Sequence, residues 1–202
     1  PYNLGIPYDS YSDSRPYLEY FAWVETWLRE LYRVTKSDGR VCINHYLSLS
    51  MRGIRCSPVA KIITLAEQIG FKYHGLSAWG SWLSASAPYI NTPYEGIVIL
   101  YKDEWRKRER GVTNIPRKEF IAGCSGVWNL KTENRKSHPA AFPESLPARC
   151  IRLFSYEGDI VYDPFMGSGT TAVACKKHNR HYIGSEISKH YCEIAQRRLD
   201  LV

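Results

Sequence analysis

Amphipathic helical patterns alternate along this chain with short runs apolar on both faces, and that alternation admits few folds. The stretch "RPYLEYFAWVETWLRELYRV" places Tyr17, Phe21, Val24, Leu28 and Leu31 at steps of four and three, a helix with Ser14 as cap candidate and Pro16 near its first turn. "VCINHYL" reads as a buried strand. "SPVAKIITLAEQIG" reads as a second helix, capped by Ser57, with Pro58 in its first position and Gly70 as its stop. "EGIVILYK" is a further buried strand, after which periodicity fades from Asp103 to Ser137. Order returns with a helix from about Glu144 to Tyr156, the strand "DIVYD", a helix from Gly169 to about His178, the strand "HYIGSE", and a last helix from about Lys189 to Leu199. The predicted architecture is α/β: a mainly parallel sheet with helices on both faces and an antiparallel edge strand.

A chain of 202 residues, 44% hydrophobic and 23% charged, suits one domain with a full core, with residues 103–137 as an insert. No apolar run approaches the roughly 18 residues of a membrane span, and the N-terminus lacks the blocks of a signal peptide, so a soluble, cytoplasmic protein is expected. The six cysteines form no C-x-x-C pair, which argues against both a zinc site and a disulfide framework. The net charge of +7 is concentrated: residues 102–136 carry ten Lys and Arg against five Asp and Glu. Such a stretch, interspersed with Trp105 and Trp128, suits contact with a phosphate backbone. Arg106, Lys107, Arg108 and Arg110 are the residues expected to touch phosphates.

The junction "DIVYDPFMGSGTTAVACKK" carries the chemistry. A glycine turn between strand and helix brings backbone close to a ligand, at the strand ends where α/β sheets bind their ligands. Three ligands compete. A triphosphate needs a lysine after the second glycine, and Gly169 is followed by Thr170 and Thr171. A dinucleotide fits better, since Gly167 to Ala172 satisfies G-x-G-x-x-A and Glu186 could serve a ribose; a nicotinamide-dependent oxidoreductase therefore stays in play. Asp163 at the strand tip tilts the choice toward a cation, because a carboxylate repels pyrophosphate and attracts the ammonium and sulfonium of S-adenosylmethionine.

Four motifs together resemble a family. "PYNLG", "HPAAFPESLPARCI", "DPFMGSGTT" and "YIGSEIS" occur in the order found in the circularly permuted beta group of DNA amino-methyltransferases. These enzymes methylate the exocyclic nitrogen of adenine (N6) or cytosine (N4). The resemblance implies a Rossmann-like methyltransferase fold with a small target-recognition insert, S-adenosylmethionine as cofactor, and double-stranded DNA as partner. It also admits a cognate restriction endonuclease and a homodimer, in a prokaryotic or phage-encoded setting.

By the same resemblance, Asp163, Pro164, Phe165, Gly167, Ser168, Gly169 and Thr170 would cradle the methionine part of the cofactor. Glu186 would bind its ribose and Ile187 would pack on its adenine, while His138, Pro139, Ala140, Phe142, Pro143 and Glu144 would close the pocket from the other side. Pro1 and Tyr2 match the last two positions of the family's catalytic tetrad, whose first two positions would precede residue 1. Tyr2 would stack on a base turned out of the duplex. Trp79 and Trp82 are weaker candidates for the base pocket. Methylation at carbon 5 of cytosine is disfavoured, since its thiolate normally sits in a Pro-Cys dipeptide and none occurs. A non-catalytic DNA-binding module on the same fold is a further alternative.

Overall fold

The computed structural model describes residues 1–80, 94–130 and 142–202. Helix α1 (Tyr17–Val34) buries Tyr20, Phe21, Val24 and Leu28, the apolar stripe its spacing predicts. Its cap position falls on Pro16, with no side-chain capping bond. Ser14 does not cap it; its carbonyl and hydroxyl accept from Arg52 instead. Strand β1 (Arg40–Tyr46) is followed by a small hairpin of β2 (Leu49–Met51) and β3 (Ile54–Cys56). Helix α2 (Pro58–Ile69) starts and stops as its sequence dictates, with the Ser57 hydroxyl accepting from the Ala60 N–H at 3.4 Å and Gly70 at its C-cap.

Strand β4 (Lys72–Gly80) had no counterpart in the pattern reading. It pairs antiparallel with β5 (Tyr94–Tyr101), which pairs antiparallel with β1 on its other side, from Arg40↔Tyr101 to Tyr46↔Glu95. Helix α3 (Arg117–Gly123) and the short β6 (Val127–Trp128), parallel to β4, complete the order β1-β5-β4-β6. Strands β1, β4 and β6 thus share one direction, and β5 alone is reversed. The antiparallel strand expected at an edge is therefore interior. The cause is legible in "GIVIL": Val98 and Leu100 pack into the core beneath α1 and α2, while Ile97 and Ile99 pack with Trp79, Trp128 and Leu146 on the opposite face. A strand buried on both faces belongs inside a sheet.

Helix α4 (Ser145–Phe154) leads to β7 (Ile160–Asp163), α5 (Thr170–Lys177), β8 (His181–Gly184) and α6 (Lys189–Leu199). Strands β7 and β8 pair in parallel from Ile160↔His181 to Asp163↔Gly184, as a right-handed strand, helix, strand unit requires. The stretch read as irregular from Asp103 contains α3 and β6, and its last seven residues lie outside the described part. Among the described residues no helix is long and apolar enough to cross a membrane.

Candidate active site

Strand β7 delivers Asp163 to the turn before α5. Its Oδ1 accepts from the Phe165 N–H at 3.0 Å and its Oδ2 from the Thr171 hydroxyl at 2.6 Å, tying the strand tip to the first turn of the helix. Gly169, with φ of 79°, must be glycine twice over, because an added Cβ would also come within 2.8 Å of the Ala195 Cβ on α6. Arg198, one turn further along α6, donates to the Ser168 carbonyl at 2.6 Å and to the hydroxyls of Ser168 and Thr170 at 3.1 Å each. Glu186 closes the other side: Oε2 accepts from the Gly167 N–H and Oε1 from the Ser188 N–H, both at 2.8 Å. The N-cap of α6 is Ser188 itself, whose hydroxyl accepts from Tyr191 N–H and donates to Asp9.

This arrangement discriminates between ligands. The backbone donors a pyrophosphate would need are already engaged, Phe165 and Gly167 by the two carboxylates, Met166 and Gly169 by the carbonyls of Ser185 and Met166. Burial pushes the Asp163 carboxyl above the ordinary range, its bonds from Thr171 and Phe165 pull it back, and the like charge of Glu186 pushes it up again. Two neighbouring, partly desolvated carboxylates favour a cationic ligand. Ile187, 70% exposed beside Glu186, presents an apolar surface suited to a flat ring. Phe165 packs against Trp23 and Trp27 of α1, with ring centroids 5.7 Å from each, so the turn rests on the first helix, with Pro164 half-buried at its start.

Of the proline-rich motif, His138, Pro139 and Ala140 lie outside the described residues, as does Trp82. Phe142 packs with the Trp79 and Trp128 cluster and Pro143 is buried. Glu144 accepts from Lys177 Nζ at 2.8 Å. Lys177 ends α5, roughly 10 Å along the axis from the glycine turn at 1.5 Å per residue. Glu144 is thus tied to the C-terminal end of α5 by that ion pair.

Tyr2 sits in a polar network that the sequence did not reveal. Its hydroxyl donates to Glu95 Oε2 at 3.0 Å, while Asn44 Nδ2 donates to the phenol oxygen at 2.7 Å and to the same carboxylate oxygen at 2.5 Å. Trp79 Nε1 donates to Asn44 Oδ1 at 2.8 Å, which fixes the amide orientation. Burial, with Glu95 beside it, pushes the Tyr2 phenol well above its ordinary value, and burial raises Glu95 against the pull of Tyr2 and Asn44. The edges of His45 and Tyr46 approach the Tyr2 ring at 5.3 Å each. Asn3, at φ 59°, pairs its amide both ways with the Arg15 backbone, and buried Asp13 accepts from the N–H groups of Asn3, Leu4 and Ile6. These Asn and Asp residues are turn formers, the one signal that could have singled them out.

The other face of Pro1 is held too. Tyr20, 1% exposed, donates to the Pro1 carbonyl at 2.9 Å and meets His45 Nε2 at 2.8 Å. The Tyr46 N–H occupies His45 Nδ1, so Nε2 carries the proton and donates to Tyr20. Burial lowers the His45 pKa to about 3, keeping the ring neutral. Neighbours on β1, Asn44 and His45 point to opposite sides of the strand and so grip both ends of the Pro1–Tyr2 segment. Pro1 also lies close enough to Asp163 and Glu186 to feel both charges.

The basic quartet lies elsewhere. Lys107 pairs with Asp159 at 2.8 Å, just before β7 begins, and Arg108 pairs with Glu104 at 3.0 Å; Arg106 and Arg110 are exposed. These residues follow Tyr101, the far end of β5 from Glu95, a separation of roughly 20 Å at 3.4 Å per residue. Asp159 and Asp163 mark opposite ends of β7 in the same sense. Arg106, Lys107, Arg108 and Arg110, expected to touch phosphates, thus lie beyond the end of β5 opposite to Glu95 and Tyr2, because local charge density says nothing about which end of the sheet a segment reaches.

A four-stranded sheet with one reversed interior strand, helices on both its faces, and a separate parallel β7–β8 pair whose tip carries the carboxylate-flanked glycine turn define a Rossmann-like methyltransferase domain. The chain belongs to the N6/N4 DNA methylase family, which matches residues 1–197. It is 40% identical over 148 residues to the type II methyltransferase M.MjaVI of Methanocaldococcus jannaschii, covering 67% of this chain and 75% of that one. It is 33% identical over 214 residues to the type II methyltransferase M.HpaI of Haemophilus parainfluenzae, covering 99% of this chain and 66% of the relative. The fold matches the Thermus thermophilus DNA modification methylase TTHA0409, solved in complex with S-adenosylmethionine, with a TM-score of 0.79 at 24% identity over 96% of this chain and 82% of that one. S-adenosylmethionine is the cofactor of the family, and the oxidoreductase alternative is not favoured.

Proposed function

We propose that this protein methylates the exocyclic amino group of adenine or cytosine in DNA, with Pro1 and Tyr2 closing the catalytic segment and Asp163, Glu186 and the 167–170 turn holding the cofactor. One observation supports the assignment of roles: Pro1, about 160 residues from the glycine turn in sequence, lies within electrostatic reach of the Asp163 and Glu186 carboxylates. The order of the two motifs along the chain is that of the permuted beta group.

The chemistry follows from the substrate. An exocyclic amine is a poor nucleophile because its lone pair is delocalised into the ring; hydrogen-bond acceptors on its two N–H bonds localise that pair. S-adenosylmethionine supplies a methyl group on a positively charged sulfur. The chain's own work is orientation and electrostatics. Glu186 has lone pairs beyond the two backbone bonds it accepts and can receive ribose hydroxyls. Ile187 covers the adenine, and Asp163 faces positive charge. The Tyr2 ring, its phenol held by Asn44 and Glu95, offers a fixed face for an extruded base.

The test is methyl transfer from labelled cofactor to DNA by the intact protein. Tyr2→Ala is expected to abolish labelling and to leave cofactor affinity largely unchanged. Protection from thermal unfolding by S-adenosylhomocysteine and not by NAD is expected alongside. Labelling of RNA or protein in place of DNA would refute the substrate.

A further inference from the structure

The basic quartet follows the far end of β5 from Tyr2, and the β2–β3 hairpin is a second cationic surface, at the near end. We propose that this hairpin grips duplex DNA beside the extruded base, Arg52 and Arg55 lying on phosphates and Ile54 against the opened base stack. The inference rests on the methyltransferase reading above and adds to it the element that meets the duplex.

The hairpin follows β1 at the end of that strand nearest Tyr2. It is anchored there: Asn3 Nδ2, one residue from Tyr2, points at the sulfur of buried Met51 at 3.8 Å, and Arg52 donates to the Ser14 carbonyl at 2.7 Å. Arg52 and Gly53 both have positive φ, 48° and 85°, the two-residue turn that makes a tight protruding hairpin. Arg52, Ile54 and Arg55 are all exposed, Ile54 at 52%. Residues 45–66 contain Arg52, Arg55 and Lys61 and no Asp or Glu, so the charged side chains of the hairpin itself are all positive. An exposed branched aliphatic side chain between two arginines has little reason to face water. Apolar wedges flanked by basic residues are how proteins fill or force a gap between base steps, and extruding a base creates such a gap.

The experiment uses the intact protein and mixed-sequence duplex fragments, with binding measured across a salt series. Each phosphate contact contributes about 0.9 to the slope of log K against log salt, so Arg55→Gln should lower the slope by about 0.9 and Arg52→Gln with Arg55→Gln by about 1.8. Arg106→Gln with Arg110→Gln should leave it unchanged. Ile54→Ser should slow methylation of duplex about tenfold while single-stranded DNA, which needs no opening, is methylated at the parental rate. Ile54 and Arg55 are exposed, so the melting temperatures of Ile54→Ser and Arg55→Gln should stay near the parent's, while Arg52→Gln, which loses its bonds to Ser14, is expected to melt lower. An unchanged salt slope in the hairpin variants, or equal loss on duplex and single strands for Ile54→Ser, overturns the proposal. Failure of the parent to methylate any DNA would instead remove the underlying reading.

Discussion

Replacing Tyr20 by Phe removes one oxygen from the centre of a buried relay. That oxygen accepts from His45 Nε2 at 2.8 Å and donates to the Pro1 carbonyl at 2.9 Å. Phenylalanine keeps the ring and its edge contacts with Phe21 and Trp23, so packing is nearly unchanged. The cost therefore lies in polar groups left without partners. His45 is 3% exposed, and stranding its N–H costs about 1–3 kcal/mol. The Pro1 carbonyl is half-buried and can recruit water, so its lost bond counts for about 0.5–1.5 kcal/mol. Together they give about 1.5–4.5 kcal/mol, or a fall in melting temperature of roughly 3–18 °C for a domain of this size. Urea unfolding of the intact protein measures the first figure, with Tyr17→Phe, a half-buried tyrosine on the same helix, as a control expected within about 0.5 kcal/mol. Because the relay ends on the backbone of the proposed catalytic segment, single-turnover methyl transfer at saturating cofactor should also fall about tenfold, with cofactor affinity unchanged. A Tyr20→Phe protein as stable as the Tyr17→Phe control and as fast as the parent would refute the relay.

Gly169→Ala should destabilise the protein by about 2–5 kcal/mol, since it adds left-handed backbone strain to a 2.8 Å approach to Ala195, and cofactor binding measured by calorimetry should be lost; a loss below about 1 kcal/mol would contradict the turn geometry. Burial raises the Glu95 carboxyl above its unfolded value, so the neutral form is favoured by folding. Its contribution is fully present below the unfolded pKa and is lost as pH rises through the raised folded value. Urea midpoints from pH 4 to 7 should therefore fall in the parent relative to Glu95→Gln, and parallel profiles would remove that account. Thr171→Val deletes the 2.6 Å bond to Asp163 and leaves that carboxylate with one fewer donor, so cofactor affinity should drop about tenfold in the same calorimetry while DNA binding holds.

Signals confined to a few neighbouring residues were legible in the sequence. Ser57, Pro58 and Gly70 bound α2 as their types dictate, because a cap is a contract between residues three or four apart. The glycine turn, with Asp163 before it and Glu186 after β8, stood out for the same reason, since every part of it lies within one strand, helix, strand unit. Strand β4 escaped because "KYHGLSAWG" is exposed over most of its first half and breaks register between Tyr73 and Gly75, leaving no alternation to read. Ser14 failed as a cap because Pro16, two residues closer to the helix, takes the position.

By itself, the amino-acid sequence determined the class of this protein: alternating helices and strands, a turn built for close approach, and acids placed where positive charge is wanted. Only the tertiary structure decided which residues meet across the cleft. Asn44, Trp79 and Glu95 find Tyr2, Tyr20 links His45 to Pro1, and the described part of the most basic segment starts at the end of β5 away from Tyr2. The physical reason is range. Propensity, capping and periodicity act over a turn or two of chain, whereas strand pairing brings together residues tens of positions apart, and nothing local records which end of a strand they will share.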